Sequence, residues 1–462
     1  MSARCALTIT ADLHARLRNH LLPGDGLEAA AVLLCSKVHG SRTRLLARDA
    51  ILVPYTDCSR REPDLLTWPG IALEEAIDRA EGDDLAVMLL HSHPGGFFGF
   101  SDADDASDRV TMPALFAGLG PLHGSAVMVP GGAILARTYE PRAAAVPMEL
   151  VSVAGVDINY SWSVRGPQPR PVAFTSAMTQ ELGQLTACVI GVSGTGSMVA
   201  EQLARLGFGR VILIDFDHLE DRNLNRILNA TLAGAATKKL KVWAFAEAIA
   251  AYRGPEVAVP VAASIATREA VLAASQADVL FSCVDTLDAR YFADLTAAAF
   301  LQPLIDVGVT IPTRRDGSNI AIADVCGRVD YVYPGGASLR DRGVYDPVAL
   351  RAEYLRRTAP DTHLDEVQQG YLKGTNEQAP AVISLNMRAA SAAVLEFIAR
   401  AYPFRIDGNE GFARTQFSLA AGEEEFSPDE AFPRFNHSIL GRGAKEPLLG
   451  MPALRRPTVG KS

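Results

Sequence analysis

Residues 91–104 read His-Ser-His-Pro-Gly-Gly-Phe-Phe-Gly-Phe-Ser-Asp-Ala-Asp and follow directly on the apolar run Leu85 to Leu90. A short apolar run bounded by Gly and Pro reads as a strand, so this stretch is a strand end opening into a glycine-rich loop. Two histidines separated by one residue, on a chain leaving a strand, can aim both imidazoles at one ion, and Asp104 can add an oxygen. Three protein ligands leave one tetrahedral position open, as in a catalytic zinc site, where a water is held and its pKa lowered toward neutrality. Ser101-x-x-Asp104 is also the signature of a helix capping box, with Ser at the N-cap and an acid at N3.

The surroundings predict an α+β domain. Upstream, Thr10 is placed as an N-cap for Leu13, Leu17 and Leu21 at helical spacing, with Pro23 and Gly24 as the stop. Strand-like runs follow at Ala30 to Cys35, Ala50 to Val53 and Leu85 to Leu90. Two more, Ala126 to Val129 and Ala133 to Arg137, flank the turn Pro130-Gly131-Gly132.

With these residues in place, the segment resembles the JAMM (JAB/MPN) metalloisopeptidases, whose motif is H-x-H-P, a spacer, then S-x-x-D, with a Glu from an earlier strand. The resemblance implies that His91, His93 and Asp104 are zinc ligands and that Ser101 helps stabilise the oxyanion. Glu28, in Gly-Leu-Glu-Ala-Ala-Ala-Val-Leu-Leu, best matches the upstream acid and becomes the general base.

A second decisive stretch, Val189-Ile-Gly-Val-Ser-Gly-Thr-Gly-Ser-Met198, is a strand, a glycine-rich turn and the start of a helix. Such a turn lets backbone N–H groups approach a phosphate at a helix N-terminus. Asp215 ends the next apolar strand, where a dinucleotide fold places the acid for a ribose hydroxyl. A dehydrogenase shares these features, but hydride transfer has no evident need for the arginine-bearing loop that ends in Asn223-Leu-Asn-Arg226.

That loop, together with Cys283-Val-Asp285-Thr-Leu-Asp-Ala-Arg290 and Pro303-Leu-Ile-Asp-Val-Gly308, resembles the ThiF/HesA/MoeB and ubiquitin-activating family over most of residues 180–400. The resemblance implies a Rossmann-like parallel sheet and ATP-dependent adenylation of the C-terminal glycine of a ubiquitin-like protein. Gly191, Gly194 and Gly196 would form the phosphate turn, and Asp215, Asp217 and Asn223 would line the nucleotide site, with Asp215 on the ribose. Arg226 and a lysine would bind the phosphates, and Asp285 would hold Mg²⁺. Lys238, Lys239 and Lys241 are clustered, and Lys241-Val best fits the start of the family's next helix. Many relatives carry paired cysteines after a Pro-Gly turn and a later thioester cysteine; here Pro334-Gly-Gly-Ala-Ser-Leu-Arg-Asp-Arg-Gly has none, and no cysteine follows Cys326. Adenylation without an enzyme thioester at the usual place is therefore expected. Cys283 and Cys326 read as buried small residues on strands.

At 462 residues the chain exceeds what one core can serve. The expected division is a JAMM domain over 1–163, a Pro/Gly-rich linker over 164–172, an adenylation domain over 173–421, and a poorly ordered tail over 422–462. A net charge of −9 argues against a nucleic acid partner. Six dispersed cysteines without a CxxC pair fit a reduced, cytoplasmic setting. No signal or membrane-spanning run is read. The combined expectation is a bifunctional enzyme of a bacterial-type ubiquitin-like pathway using Zn²⁺, ATP and Mg²⁺. Its partners would be a ubiquitin-like protein ending in glycine and a conjugating enzyme, and the resemblance implies a homodimer. The rival readings are activation of a sulfur carrier to a thiocarboxylate, and an inert scaffold that binds a ubiquitin-like protein.

Overall fold

The computed structural model describes residues 4–141, 144–164, 169–316, 319–359, 382–435 and 438–456. Of the expected connector 164–172, residues 165–168 lie outside the described residues. The chain divides into two units: Met1–Arg170 with Ala299–Leu301 and Ser438–Ser462, and Pro171–Ala298 with Gln302–His437.

The first unit is α+β. Its elements begin with β1 (Cys5–Thr10), α1 (Ala11–Leu21), β2 (Ala30–Val38) and β3 (Thr43–Leu52). A small hairpin, β4 (Arg60–Arg61) and β5 (Leu66–Thr67), precedes α2 (Ile71–Glu81), β6 (Ala86–Ser92) and α3 (Asp102–Leu119). The unit continues with β7 (His123–Met128), β8 (Ile134–Tyr139), β9 (Val146–Pro147), β10 (Leu150–Ala154) and β11 (Ile158–Trp162). Nine strands form one sheet in the order β11-β10-β1-β3-β2-β6-β7-β8-β9.

Strand β2 shows why the sheet reads as continuous apolar sequence. Side chains alternate across a strand. Ala31, Leu33 and Cys35 join Leu13, Leu17 and Leu21 of α1 in one core. Ala30, Val32 and Leu34 join Ala72, Ala76 and Ala80 of α2 and Met112 and Leu115 of α3 in another. Both faces are covered, so no polar alternation survives. Helix α1 starts as its cap predicts, the Thr10 hydroxyl accepting from the Leu13 N–H at 3.3 Å.

The second unit is built on a parallel sheet. It runs α4 (Ser176–Leu182), β12 (Thr186–Ile190), α5 (Gly194–Leu206), β13 (Arg210–Ile214), α6 (Leu232–Ala236), α7 (Lys241–Arg253), β14 (Ala258–Val261), α8 (Arg268–Ala274), β15 (Val279–Ser282), α9 (Leu287–Ala299) and β16 (Leu304–Thr310). A hairpin, β17 (Thr313–Asp316) and β18 (Asn319–Ile322), leads to β19 (Cys326–Val332), α10 (Pro347–Thr358), α11 (Ile383–Ala401), β20 (Arg414–Ser418) and β21 (Glu423–Ser427). The sheet order is β14-β13-β12-β15-β16-β19-β20-β21, parallel through β16 and antiparallel beyond it. The chain moves outward from β12 to β14 and then returns to the other side of β12 as β15. The carboxyl ends of β12 and β15 therefore flank a topological switch point, where open α/β sheets bind ligands.

The segment after Gly422 corrects the expectation of a poorly ordered tail. Glu423–Ser427 is strand β21, paired with β20. Asp429 is buried and accepts from the Arg342 guanidinium at 2.6 Å and from the Arg434 guanidinium at 2.8 Å. The charges that made this stretch look solvated are partly internal ion-pair partners.

Candidate functional sites

In the first unit, two adjacent antiparallel strands assemble the site. Ala30 of β2 sits opposite His91 of β6, which brings Glu28, just before β2, to the histidines. The loop leaving β6 is pinned on both sides: Ser92 N donates to Ala29 O at 3.0 Å, Ala29 N donates to Ser92 Oγ at 3.0 Å, and His93 N donates to Met128 O at 2.9 Å. His91 Nε2 and His93 Nε2 are 3.0 Å apart. Asp104 Oδ1 is 3.0 Å from His91 Nε2, Asp104 Oδ2 is 3.5 Å from His93 Nε2, and Glu28 Oε1 is 3.9 Å from His93 Nε2.

Donors set tetrahedrally at about 2.0–2.1 Å from a zinc ion stand about 3.3 Å from one another. The three spacings among His91, His93 and Asp104 bracket that value. The ring of His93 is oriented for it, because Nδ1–H donates to Phe97 O at 2.8 Å and leaves Nε2 as the lone-pair nitrogen. Glu28, His91 and His93 also form a candidate metal-binding trio, with ligand atoms within 4.8 Å of one another. Both carboxylates thus lie within reach of the imidazole pair.

Ser101 caps α3 as the S-x-x-D spacing predicts. Its hydroxyl donates to Asp104 Oδ2 at 2.8 Å, Asp104 N donates to Ser101 Oγ at 3.2 Å, and Ser101 N donates to Asp104 Oδ2 at 2.7 Å. The capping box and the ligand geometry coexist in one carboxylate. Burial alone would raise the Asp104 pKa, but His91 and His93, when protonated, outweigh it and hold the carboxyl well below the usual range. Burial raises the Glu28 carboxyl, with the two histidines pulling the other way.

In the second unit, Gly191 leaves β12 with φ +85°, a left-handed conformation that suits glycine. A side-chain carbon on Gly196 would lie 1.7 Å from Gly191 O, so the turn closes only around glycine. Asp215 Oδ2 accepts from Val192 N and Oδ1 from Asp217 N, both at 2.8 Å, which ties the end of β13 to the turn. Lys241, at the start of α7, is buried and donates to Asp217 Oδ2 at 2.7 Å, with Asp215 Oδ2 at 4.0 Å. Lys239 instead pairs with Glu247. Burial raises the Asp215 carboxyl, and the Lys241 charge opposes the shift. Arg226 flanks Gly194 through its Cδ and donates to Arg222 O at 2.7 Å and Asn225 Oδ1 at 3.1 Å. Asn223 is buried and accepts through Oδ1 from Glu220 N at 3.0 Å, so its amide shapes the loop. Asp285 is exposed just beyond β15.

Residues 10–144 match the family described as prokaryotic homologs of the JAB domain, and residues 169–327 match the ThiF family. The chain is a JAB domain fused to a ThiF domain. Curated relatives include ubiquitin-like modifier-activating enzyme 5 of Caenorhabditis briggsae, 29% identical over 169 residues, covering 34% of this chain and 35% of the relative. The tRNA threonylcarbamoyladenosine dehydratase of Bacillus subtilis (strain 168) is 43% identical over 61 residues, 13% of this chain and 24% of the relative. The chain spans about a third of the length of the first of these and about a quarter of the second. Among solved structures, E. coli MccB with ATP aligns at 15% identity and a TM-score of 0.42, covering 57% of this chain and 68% of that one.

Sequence reasoning missed several residues of the JAB domain's site. An open cleft of about 90 Å³ beside Glu28, His91 and Asp104 is also lined by Trp68, Phe100, Asp108 and Ser125. Beneath it, buried Asp108 Oδ2 accepts from Ser125 Oγ at 2.5 Å, from Arg137 at 2.6 Å and from Tyr139 OH at 2.8 Å. The Arg137 guanidinium also lies 3.7 Å from the centroid of Phe100. Asp104 and Asp108 are four apart on α3 and share a face, which is the signal that could have found this network. In the ThiF domain, Arg290 and Asp306 from the two later motifs form a buried ion pair, and Ser282 Oγ donates to Asp306 Oδ1 at 2.7 Å. Those motif residues brace β15 and β16. Cys283 stands one residue past β15, half-buried, and burial pushes its thiol up.

Proposed function

We propose that this protein cleaves a ubiquitin-like protein, at its C-terminal extension or at a conjugate, through its JAB domain, and adenylates the exposed C-terminal glycine through its ThiF domain. The observation that carries the reading is the meeting of Glu28, His91, His93 and Asp104, from three separate stretches of chain, within 3.0–3.9 Å contacts.

Zinc held by His91, His93 and Asp104 would supply Lewis acidity at the attacked carbonyl and an activated water. Glu28, with its raised pKa, takes up the proton of the attacking water and returns it to the leaving amine. The Ser101 O–H, turned from Asp104 toward the carbonyl oxygen, steadies the developing negative charge.

In the ThiF domain, a carboxylate oxygen of the tail bonds to the α-phosphorus of ATP. The bond from that phosphorus to the oxygen bridging to the β-phosphate breaks, and pyrophosphate leaves with the electron pair. The α5 N-terminus, Arg226 and Lys241 offset the phosphate charge. Asp215 takes the ribose, and Asp285 would hold the Mg²⁺ that accompanies the phosphates. The Pro334-Gly-Gly-Ala-Ser-Leu-Arg-Asp-Arg-Gly segment carries no cysteine, and on this reading the acyl adenylate passes directly to a partner's thiol or amine.

The test pairs two assays on one preparation: metal content with cleavage of a ubiquitin-like protein extended beyond Gly-Gly, and ATP–pyrophosphate exchange with the trimmed product. Zinc near one per chain with cleavage, and exchange only after trimming, is the expected result. Metal-free, inactive protein that still folds would remove the hydrolase half, and lack of exchange would remove the adenylation half.

A further inference from the structure

Asn386 lies in the first turns of α11, which packs against α5. It is 3% exposed, and its Oδ1 has no hydrogen-bond partner among the described residues. Its amide rests on the phosphate turn: a side-chain carbon at Gly194 would lie 2.4 Å from Asn386 Nδ2 and 3.5 Å from Arg226 Cδ. A buried amide oxygen left unpaired costs stability, and such an atom at a ligand site marks a contact that the ligand completes.

From this placement we infer that Asn386 Oδ1 accepts the main-chain N–H of the terminal residue of the acyl-donor tail and so aligns its carboxylate on the α-phosphorus. The inference rests on the adenylation reading. The atom needs a donor, and phosphate groups ionised as in ATP present acceptors. The ribose hydroxyls belong to Asp215 at the other end of the turn, and the adenine amine lies at the far end of the nucleotide from its phosphates. The peptide N–H next to the attacking carboxylate is the donor that the reaction brings to Gly194. Arg226, held on Arg222 O and Asn225 Oδ1, has its Cδ beside the same glycine, and a half-turn of the Asn386 amide exchanges Nδ2 for Oδ1 there. Asn386 is thus a positioning residue that reads tail backbone.

The experiment is ATP–pyrophosphate exchange on the full chain with two synthetic peptides, one ending in Gly-Gly and one ending in Gly-sarcosine, whose terminal nitrogen carries no hydrogen. For the wild-type protein, the sarcosine peptide should show a KM about tenfold higher, the loss of one hydrogen bond. N386A should raise the KM for the Gly-Gly peptide by a similar factor, leave the KM for ATP unchanged, and show no further loss with sarcosine. Equal sarcosine penalties in wild type and N386A, or a rise in the KM for ATP alone, would overturn the inference while leaving adenylation intact. Wild-type protein that exchanges with neither peptide nor with any Gly-Gly-ending protein would overturn the adenylation reading and the inference with it. The sarcosine comparison in the wild-type protein holds even if N386A fails to fold.

Discussion

At the scale of single residues, the JAB site poses a choice between two carboxylates that both approach the imidazole pair. Asp104 touches both histidines, whereas Glu28 stands farther off and carries a raised pKa. Glu28→Gln should therefore keep metal content unchanged and lower kcat by about 10²–10⁴-fold. Asp104→Asn should lose metal; metal analysis of both variants separates the roles, and metal loss in Glu28→Gln would reverse them. The Arg137–Asp108 pair makes a different prediction. Both side chains are buried, so Arg137→Met strands a carboxylate and should cost about 3–5 kcal/mol in urea unfolding. Adding Asp108→Leu removes the stranded charge and should recover much of that loss, because apolar replacement of a whole buried pair is often neutral.

At the scale of elements, β6 carries His91 and is tied to β7 by a neutral histidine. Val87 N donates to His123 Nδ1 at 3.0 Å, and His123 Nε2–H donates to Gly120 O at 2.9 Å. Burial lowers the His123 pKa from 6.5 to about 4, with Lys37 adding to the shift and Asp84 opposing it. The folded-state pKa lies below the unfolded one, so the unfolded chain binds the extra proton. Stability from this residue is whole above pH 6.5 and is lost as pH falls toward 4, on the order of 3 kcal/mol. His123→Gln should flatten the stability profile across that window, and a parallel profile would refute it.

Legibility varied by element for reasons visible in the residues. Strands β6 and β7, the α1 cap and the two glycine-rich loops announce themselves through Pro, Gly, Thr or His at fixed spacing. Helix α2 is harder to read because its buried stripe is Ala72, Ala76 and Ala80, which differs little in hydropathy from its flanks. Strand β1 runs straight into the cap of α1, so Thr10 both ends a strand and starts a helix. The candidate metal constellation was legible as a motif. Of its Asp108–Arg137 support only Asp108, four residues after Asp104, left a sign in the sequence, since its partners come from β7 and β8 and only the folded sheet brings them together.

At the scale of the whole molecule, each site draws its residues from one unit, so the two chemistries should be separable. A zinc-selective chelator, with Mg²⁺ retained, should stop cleavage and leave ATP–pyrophosphate exchange within about twofold, because removing a metal alters only the site it occupies. A fall in both activities would show coupling. The family match ends at residue 144, yet β10 lies parallel to β1, with Ala6 opposite Leu150 and Thr10 opposite Ala154, and β11 covers β10 in turn. A fragment cut at the family limit would bare one flank of β1 as an uncovered ribbon of amides, inviting intermolecular stacking.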